Sequence, residues 1–459
     1  MKSMPAAPWR NLVLFAIHSF AVLAVAQQPP QPGKPPLVVV FTNVNVVDVA
    51  NGAVTRNSVV VVKNGRIQAI SRRAIIGLGR DLQVVNTSGR YMIPGLWDMH
   101  VHLSIVREPA LAALVANGVL GVRDMGGDLE EIDAWRRRIG SGELLGPAIL
   151  RAGPILDGPK DDAPYHLAVN DAEQARLVVR DLKKRRVDFI KVHNALPRAA
   201  YFALLDEARR QGLSVAGHVP VEVEPAEASA AGQKSIEHVQ TLFEGTFGRR
   251  LGQPLRSAEL LAAMRQFEGA EAAELFRRFA QNGTWFDPTV VHYRASAGSA
   301  DNDPRRKYVS QAAHDYWRKH FRAPSAEAAA MRLQALEIFQ RLVSRMNVQR
   351  VRLLAGTDLG GRDVFPGFSL HDELELLVAS GLSPAAALRT ATLNPAIFFD
   401  RQKHWGSVDV GKVGELVLLE GDPLADIRNT RRVWGVMTGG RFYSRQELDR
   451  ALEQAAGQQ

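Results

Sequence analysis

The chain has 459 residues, 46% hydrophobic and 23% charged, with a formal net charge of +9; this is long enough for one to three domains and too apolar for extended disorder. It contains no cysteine, which excludes thiolate metal sites, cysteine nucleophiles and disulfides and leaves His, Asp, Glu or a modified side chain to hold any metal. The excess of cations does not trace a nucleic-acid footprint: "KKRR" at 183–186 closes an amphipathic helix, where cations complement the C-terminal dipole, and the other arginines are scattered, so no nucleic-acid partner is expected.

At the N-terminus, Lys2 and Arg10 without an acid precede the apolar "NLVLFAIHSFAVLAV" and the small residues Ala24 to Ala26. This pattern predicts a signal peptide over 1–26, cleaved after Ala26, and a secreted or periplasmic destination. The apolar run is shorter than the roughly 20 residues that span a bilayer, so no stable membrane anchor is expected. Residues 27–36 read as a Pro/Gln-rich linker. Between 37 and 91, "LVVVFTNVNVVDV", "SVVVVKNGRIQAI" and "LQVVNTSGRYM" are β-type runs separated by turns such as Asn64-Gly65, and give the first part of a small β unit.

From 92 to 398 the rhythm becomes strand, helix, strand, helix. After "MIPGLWDMHVH" come strands in "GVLGVRDMG", "GPAILRAGP", "VDFIKVHN", "LSVAGHV", "KSIEHV", "TWFDPTV" and "VRLLAGTD". Eight alternating units predict an α/β fold of the (β/α)8 TIM-barrel type, with a helical insertion at about 297–349. Short strands resume in 399–459, at "ELVLLEGDP", "RVWGVMTGG" and "RFYS". Neither flanking β segment is large enough alone, so the two are expected to combine into one small β-sandwich built from both ends of the chain.

His100 and His102 are two residues apart in a strand and therefore project to the same side. Barrel enzymes place reactive groups where strands end, and the other polar residues at those positions are Lys191, His218, His238 and Asp358. A lysine buried in "DFIKVHN" shifts toward its neutral form. A neutral amine beside a metal pair can take up carbon dioxide as a carbamate, an anionic ligand with carboxylate geometry. Around this set, Asp124 is a candidate support for the strand-one ligands, and equally a cap for the turn that follows it. His193 shares the face of Lys191; His166 and Tyr165, after strand three, and His292, Tyr293 and Arg294, after strand seven, are candidate substrate contacts. Arg294 suits a substrate carboxylate, and equally an ordinary surface ion pair.

Taken together, "GLWDMHVHL", "FIKVH", "VAGHV", "SIEHV" and "LLAGTD" resemble the amidohydrolase superfamily, in particular its imidazolonepropionase-like and prolidase-like branch. The likeness runs from "NVNVVDVANG" to "VMTGGRFY", with Gly414-Glu415-Leu416 standing where the family usually has Ala-Asp-Leu. It implies two divalent metal ions, zinc or else manganese, iron or cobalt. His100, His102 and Asp358 would hold the first, His218 and His238 the second, and N6-carboxylated Lys191 would bridge them. Asp358 would carry a proton from a bridging hydroxide to the leaving nitrogen. The implied function is hydrolysis of a carbon-nitrogen bond in a small amide or peptide, by a prolidase-like dipeptidase or N-acyl amino acid hydrolase. A cyclic amide hydrolase and an ester or phosphotriester hydrolase are alternatives on the same site, and a non-catalytic metal- or ligand-binding barrel is the alternative from a different class. Oligomeric state is left open, a homo-oligomer being compatible with the sequence.

Overall fold

A computed structural model of the chain describes residues 38–73, 82–159, 164–243, 258–298, 302–321 and 323–457. Residues 1–26 and 27–36, expected as a signal peptide and a linker, fall outside them. Eight parallel strands form the barrel: Leu96–Val101, Val119–Asp124, Ala148–Arg151, Ile190–Val192, Val215–Gly217, Ser235–Glu237, Trp285–Asp287 and Arg352–Leu353. The third strand kinks at Gly153, which has φ +83°, and continues as Ile155–Asp157 before pairing with the fourth. Closure comes where the chain after the eighth strand returns to the first: the Met99 N–H donates to the Ala355 carbonyl (3.0 Å), and Val101 bridges Leu359 in parallel.

The helices between strands are started and stopped by side chains visible in the sequence. Asp128 accepts from the backbone N–H groups of Glu130 and Glu131 at the head of Leu129–Gly140, and Asp171 does the same for Glu173 and Gln174 at the head of Ala172–Lys184. Gly212 and Gly283 close Arg198–Gln211 and Ala270–Asn282 in the left-handed conformation. Each helix turns an apolar stripe inward, as with Ala175, Val179 and Leu182, onto one continuous hydrophobic core.

The region expected as an insertion over 297–349 divides in two. Its longer part, the helix Ala326–Val348, buries Leu336, Phe339, Leu342, Val343 and Met346 and is the barrel's own connection between strands seven and eight. Only the preceding stretch, with a 3-10 turn at Pro304–Tyr308 and the helix Gln311–His320, reaches across the barrel mouth. A helical pattern shows that a face is apolar without showing what it packs on, which is why the two parts read alike in sequence.

The chain's two ends meet in one eight-stranded sheet. Tyr91–Pro94 pairs with Leu416–Leu419 on one side and with Val38–Asp48 on the other, and Val433–Thr438 and Arg441–Ser444 extend it. Its own core draws Val39, Phe41, Val60 and Met92 from the first end and Leu416, Leu418, Met437 and Phe442 from the second. A terminal helix, Arg445–Gly457, then buries Leu448, Leu452 and Ala455 against Pro109–Ala116.

Candidate active site

The structure brings His100, His102, Lys191, His218, His238 and Asp358 to one cavity of about 230 Å³ at the C-terminal end of the barrel. His100 and Lys191 are almost fully buried, at 0% and 1% exposure. The Lys191 Nζ and Asp358 Oδ1 each lie 3.5 Å from His100 Nε2, and Asp358 Oδ1 is also 3.5 Å from His102 Nε2. His238 stands close to both His100 and His218, with ring centroids 4.6 and 4.7 Å away. Two of the residues occupy strained backbone: His238 at φ +66° and Asp358 at φ +59°, values that non-glycine residues hold only where the surrounding structure imposes them.

Burial sets the protonation of this cluster. It pushes the Lys191 ammonium down to about 8 and holds the imidazoles of His100, His218 and His238 well below their ordinary value, with neighbouring cationic groups adding to the effect. The same burial would raise the Asp358 carboxyl, but the neighbouring imidazoles, His292 first and then His100, hold it well below the usual carboxylate range. The cavity floor thus sets three imidazoles held toward their neutral form, and an amine shifted toward neutrality, around one anion.

Such a donor set fits divalent cations. The His102 Nδ1–H donates to the Gly126 carbonyl (3.0 Å) and the His218 Nδ1–H to Asn194 Oδ1, while His238 Nδ1 is hydrogen-bonded to Thr289 Oγ1 (2.7 Å). With Nδ1 engaged by protein oxygen, the Nε2 lone pairs of His102 and His218 are left for an ion. His100, His238 and Asp358 offer ligand atoms within 4.8 Å of one another, and a carboxylated Lys191 would complete the cage with oxygen.

The weaker candidates separate cleanly. Tyr165, His166, His193 and His292 line the cavity. Tyr293 and Arg294 do not. The Tyr293 ring is buried edge-on to Phe339 and its hydroxyl accepts the Gln240 N–H (3.2 Å), so it supports the loop after strand six. Arg294, in the short helix Val290–Ser296, pairs with the buried Asp372 (3.0 Å). Asp124 reaches no histidine ring by a hydrogen bond; its carboxylate accepts the N–H groups of Leu103 (2.8 Å) and Gly126 (3.2 Å), fixing the two turns between which His102 sits. Burial raises it to about 6.

Several supporting residues went unread in the sequence. Asp157 Oδ2 accepts from both His193 Nδ1 (2.9 Å) and His166 Nδ1 (3.2 Å), while its Oδ1 accepts the N–H groups of Ala195 (2.7 Å) and Gly158 (3.0 Å). Asp98 joins strands one and eight through the N–H groups of His100 and Thr357 and the Thr357 hydroxyl (2.7 Å), which places Asp358; burial raises it to about 7. Asn194 and Thr289 orient ring nitrogens 24 and 51 residues away in sequence. The one available signal was position, since Asp157 and Thr289 end or follow the third and seventh strands. From the insertion, Tyr316, His320 and Phe321 complete the wall and lead to an adjoining cleft of about 340 Å³ that carries Arg107 and Lys319.

The model of the Amidohydrolase family matches residues 91–442. Among curated proteins, an adenine deaminase of Desulforamulus reducens is 21% identical over 399 residues, which is 86% of this chain and 56% of that protein. An adenine deaminase of Rubrobacter xylanophilus is 24% identical over 425 residues, 90% of this chain and 60% of its own; the chain thus spans under two thirds of either relative. Among solved structures, a bottromycin amidohydrolase superposes with a TM-score of 0.74 at 24% identity, covering 92% of this chain and 90% of that one. A Xaa-Pro dipeptidase with methionine bound in its active site gives 0.67 at 20%, covering 89% and 100%. At these identities the structural likeness speaks to the fold alone.

Proposed function

We propose that the chain, which belongs to the Amidohydrolase family, is a hydrolase acting on carbon-nitrogen bonds, and within that class a binuclear, prolidase-like dipeptidase or N-acyl amino acid hydrolase. The observation that carries this reading is Lys191, buried among four histidines and Asp358 with its amine shifted toward neutrality. His100, His102 and Asp358 would hold one divalent ion, His218 and His238 a second, with carboxylated Lys191 shared between them. Bound there, the ions supply Lewis acidity that polarises a scissile carbonyl and makes water nucleophilic near neutral pH. The chain's own part is proton transfer and positioning. Asp358 turns Oδ1 toward His100 and His102 and Oδ2 toward His292 (3.2 Å), so an ionised carboxylate stands ready to take a proton and pass it to the leaving nitrogen. The cavity suits a small substrate, with its longer end in the adjoining cleft.

Deamination of a purine-like ring is a second reading, favoured by the names of the two curated relatives. The deciding experiment reconstitutes the full chain with zinc or manganese in bicarbonate and offers Xaa-Pro dipeptides, N-acyl amino acids, adenine, and ester and phosphotriester analogues. Turnover of the first two classes is expected. Ammonia released from adenine alone would transfer the assignment to deamination, and no turnover with any metal would end the hydrolase reading of this site. The proposal includes export, with residues 1–26 removed. N-terminal sequencing of protein secreted from a bacterial host should begin at Gln27, and retention of Met1 would refute it.

A further inference from the structure

Beneath the metal-facing nitrogens lies a charged cluster that the proposed reaction does not use. Arg123, from the second strand, is 0% exposed in the barrel interior. Its guanidinium donates to Glu237 Oε2 (2.6 Å), Ser235 Oγ (2.9 Å) and the Met99 carbonyl (2.5 Å), with Asp287 Oδ2 at 3.3 Å, and it faces the rings of Phe398 and Phe189. Ser235 Oγ donates in turn to Glu237 Oε1. Strands one, two, six and seven are therefore joined through one arginine.

Such a cluster is a poor source of stability, because desolvating buried charges can cost more than their attraction returns, and apolar replacements of similar volume are often neutral or stabilising. Its position suggests another role. His100 Nδ1 is fully buried, has no hydrogen-bond partner within normal geometry among the described residues, and faces Glu237 Oε2 at 3.5 Å. Across the same ring, Nε2 faces Lys191 and Asp358. Gly356 leaves the room for this approach: a Cβ there would come within 2.3 Å of Asp287 Oδ2 and 2.6 Å of His100 Cβ.

We propose that Glu237, held in place by Arg123 and Ser235, is a positioning residue for His100, accepting its Nδ1–H and so fixing the tautomer and ring angle that present Nε2 to the metal. The other ligand histidines are oriented by a carbonyl, an amide and a hydroxyl; His100 alone among the four is oriented by a carboxylate. A carboxylate acceptor raises the basicity of the imidazole it orients, so Glu237 tightens the His100 end of the site in particular. This rests on the reading of His100 as a metal ligand, and the test separates the two.

The experiment uses the full chain loaded with Co2+, following the visible absorption of the bound ion and its rate of loss to EDTA, for the wild type, Glu237→Gln, His100→Asn and the double variant. Glu237→Gln should shed cobalt roughly 10- to 100-fold faster with an altered spectrum, and should melt at a lower temperature because the buried Arg123 loses its nearest counter-charge. In the His100→Asn background the same substitution should have no further effect. If His100→Asn retains full cobalt, the ligand reading itself fails. If His100→Asn loses cobalt but Glu237→Gln behaves as wild type, or its effect persists in the double variant, the positioning role is refuted while the ligand reading stands. Should Glu237→Gln not fold, 15N-histidine spectra of the unaltered protein still decide. A proton on His100 Nδ1 supports the proposal and a proton on Nε2 overturns it.

Discussion

Burial at Lys191 is a chemical property as much as a packing one. An ammonium ion at 1% exposure loses its hydration, and its fall to about 8 brings the neutral amine within reach of physiological pH. Only the neutral amine can attack carbon dioxide, so the residue that would be costly to bury as a cation is suited to become an anionic ligand. Lys191→Ala should therefore reduce metal content from about two ions per chain to one or none in protein purified with bicarbonate, as read by elemental analysis. An unchanged two ions would remove Lys191 from the ligand set. Asp157 poses a different question at the same scale, because one carboxylate oxygen engages two cavity-facing imidazoles. Burial raises this carboxyl and the hydrogen bonds from His166 and His193 more than reverse that, holding it well below its usual range. Asp157→Asn should lower kcat/KM by roughly ten- to a hundredfold through misplacement of the two rings, with metal content intact. Loss of metal in that variant would show instead that the pair supports the ligands.

At the scale of elements, the third strand shows what sets the cavity wall. Gly158 follows Asp157 at the point where the chain passes the turn after strand four, and a Cβ at 158 would lie 2.0 Å from the Ala195 carbonyl oxygen. Gly158→Ala must push apart the two segments that Asp157 joins. We expect a loss of about 1–3 kcal/mol of stability together with a fall in activity, whereas Gly140→Ala, with open space around it, should leave both at wild-type levels. Equal behaviour of the two in thermal melts would refute the close approach. The strand ends were legible in sequence because barrel geometry assigns His100, His102, Lys191, His218, His238 and Asp358 to one rim whatever the loops do. The residues that orient them were not, since the Asn194–His218 and Thr289–His238 contacts depend on how loops fold back, which no local pattern encodes. The helix Arg445–Gly457 carried a readable signal in Leu448, Leu452 and Ala455, yet nothing in that local pattern shows that Pro109–Ala116 lies opposite to cover it.

Over the whole molecule, alternation of strand and helix revealed the barrel, and the doubled β composition of the ends pointed to a shared sandwich where the two ends pair in one sheet, while the locks between distant segments stayed hidden. His371 is one such lock. It lies in the helix Phe368–Ala379, 2% exposed, with Nε2 donating to the Asn117 carbonyl (3.0 Å) and Nδ1 paired with Thr430 Oγ1 (3.0 Å), so it ties the second barrel unit to the segment that leads into the C-terminal strands. Burial pushes its imidazole down to about 4, with Arg431 nearby acting in the same direction. In the unfolded chain the same group titrates near 6.5. Between those values the unfolded state binds a proton that the folded state refuses, so the contribution is complete above pH 6.5 and is lost as pH falls toward 4, by roughly 3 kcal/mol in all. Urea denaturation from pH 7 to 4.5 should show the wild type converging on His371→Asn, which starts less stable because two buried hydrogen bonds are disturbed but lacks the titrating group. Curves that stay parallel across that range would mean that folding leaves the His371 pKa where the unfolded chain has it, and the effect of burial on this imidazole would be refuted.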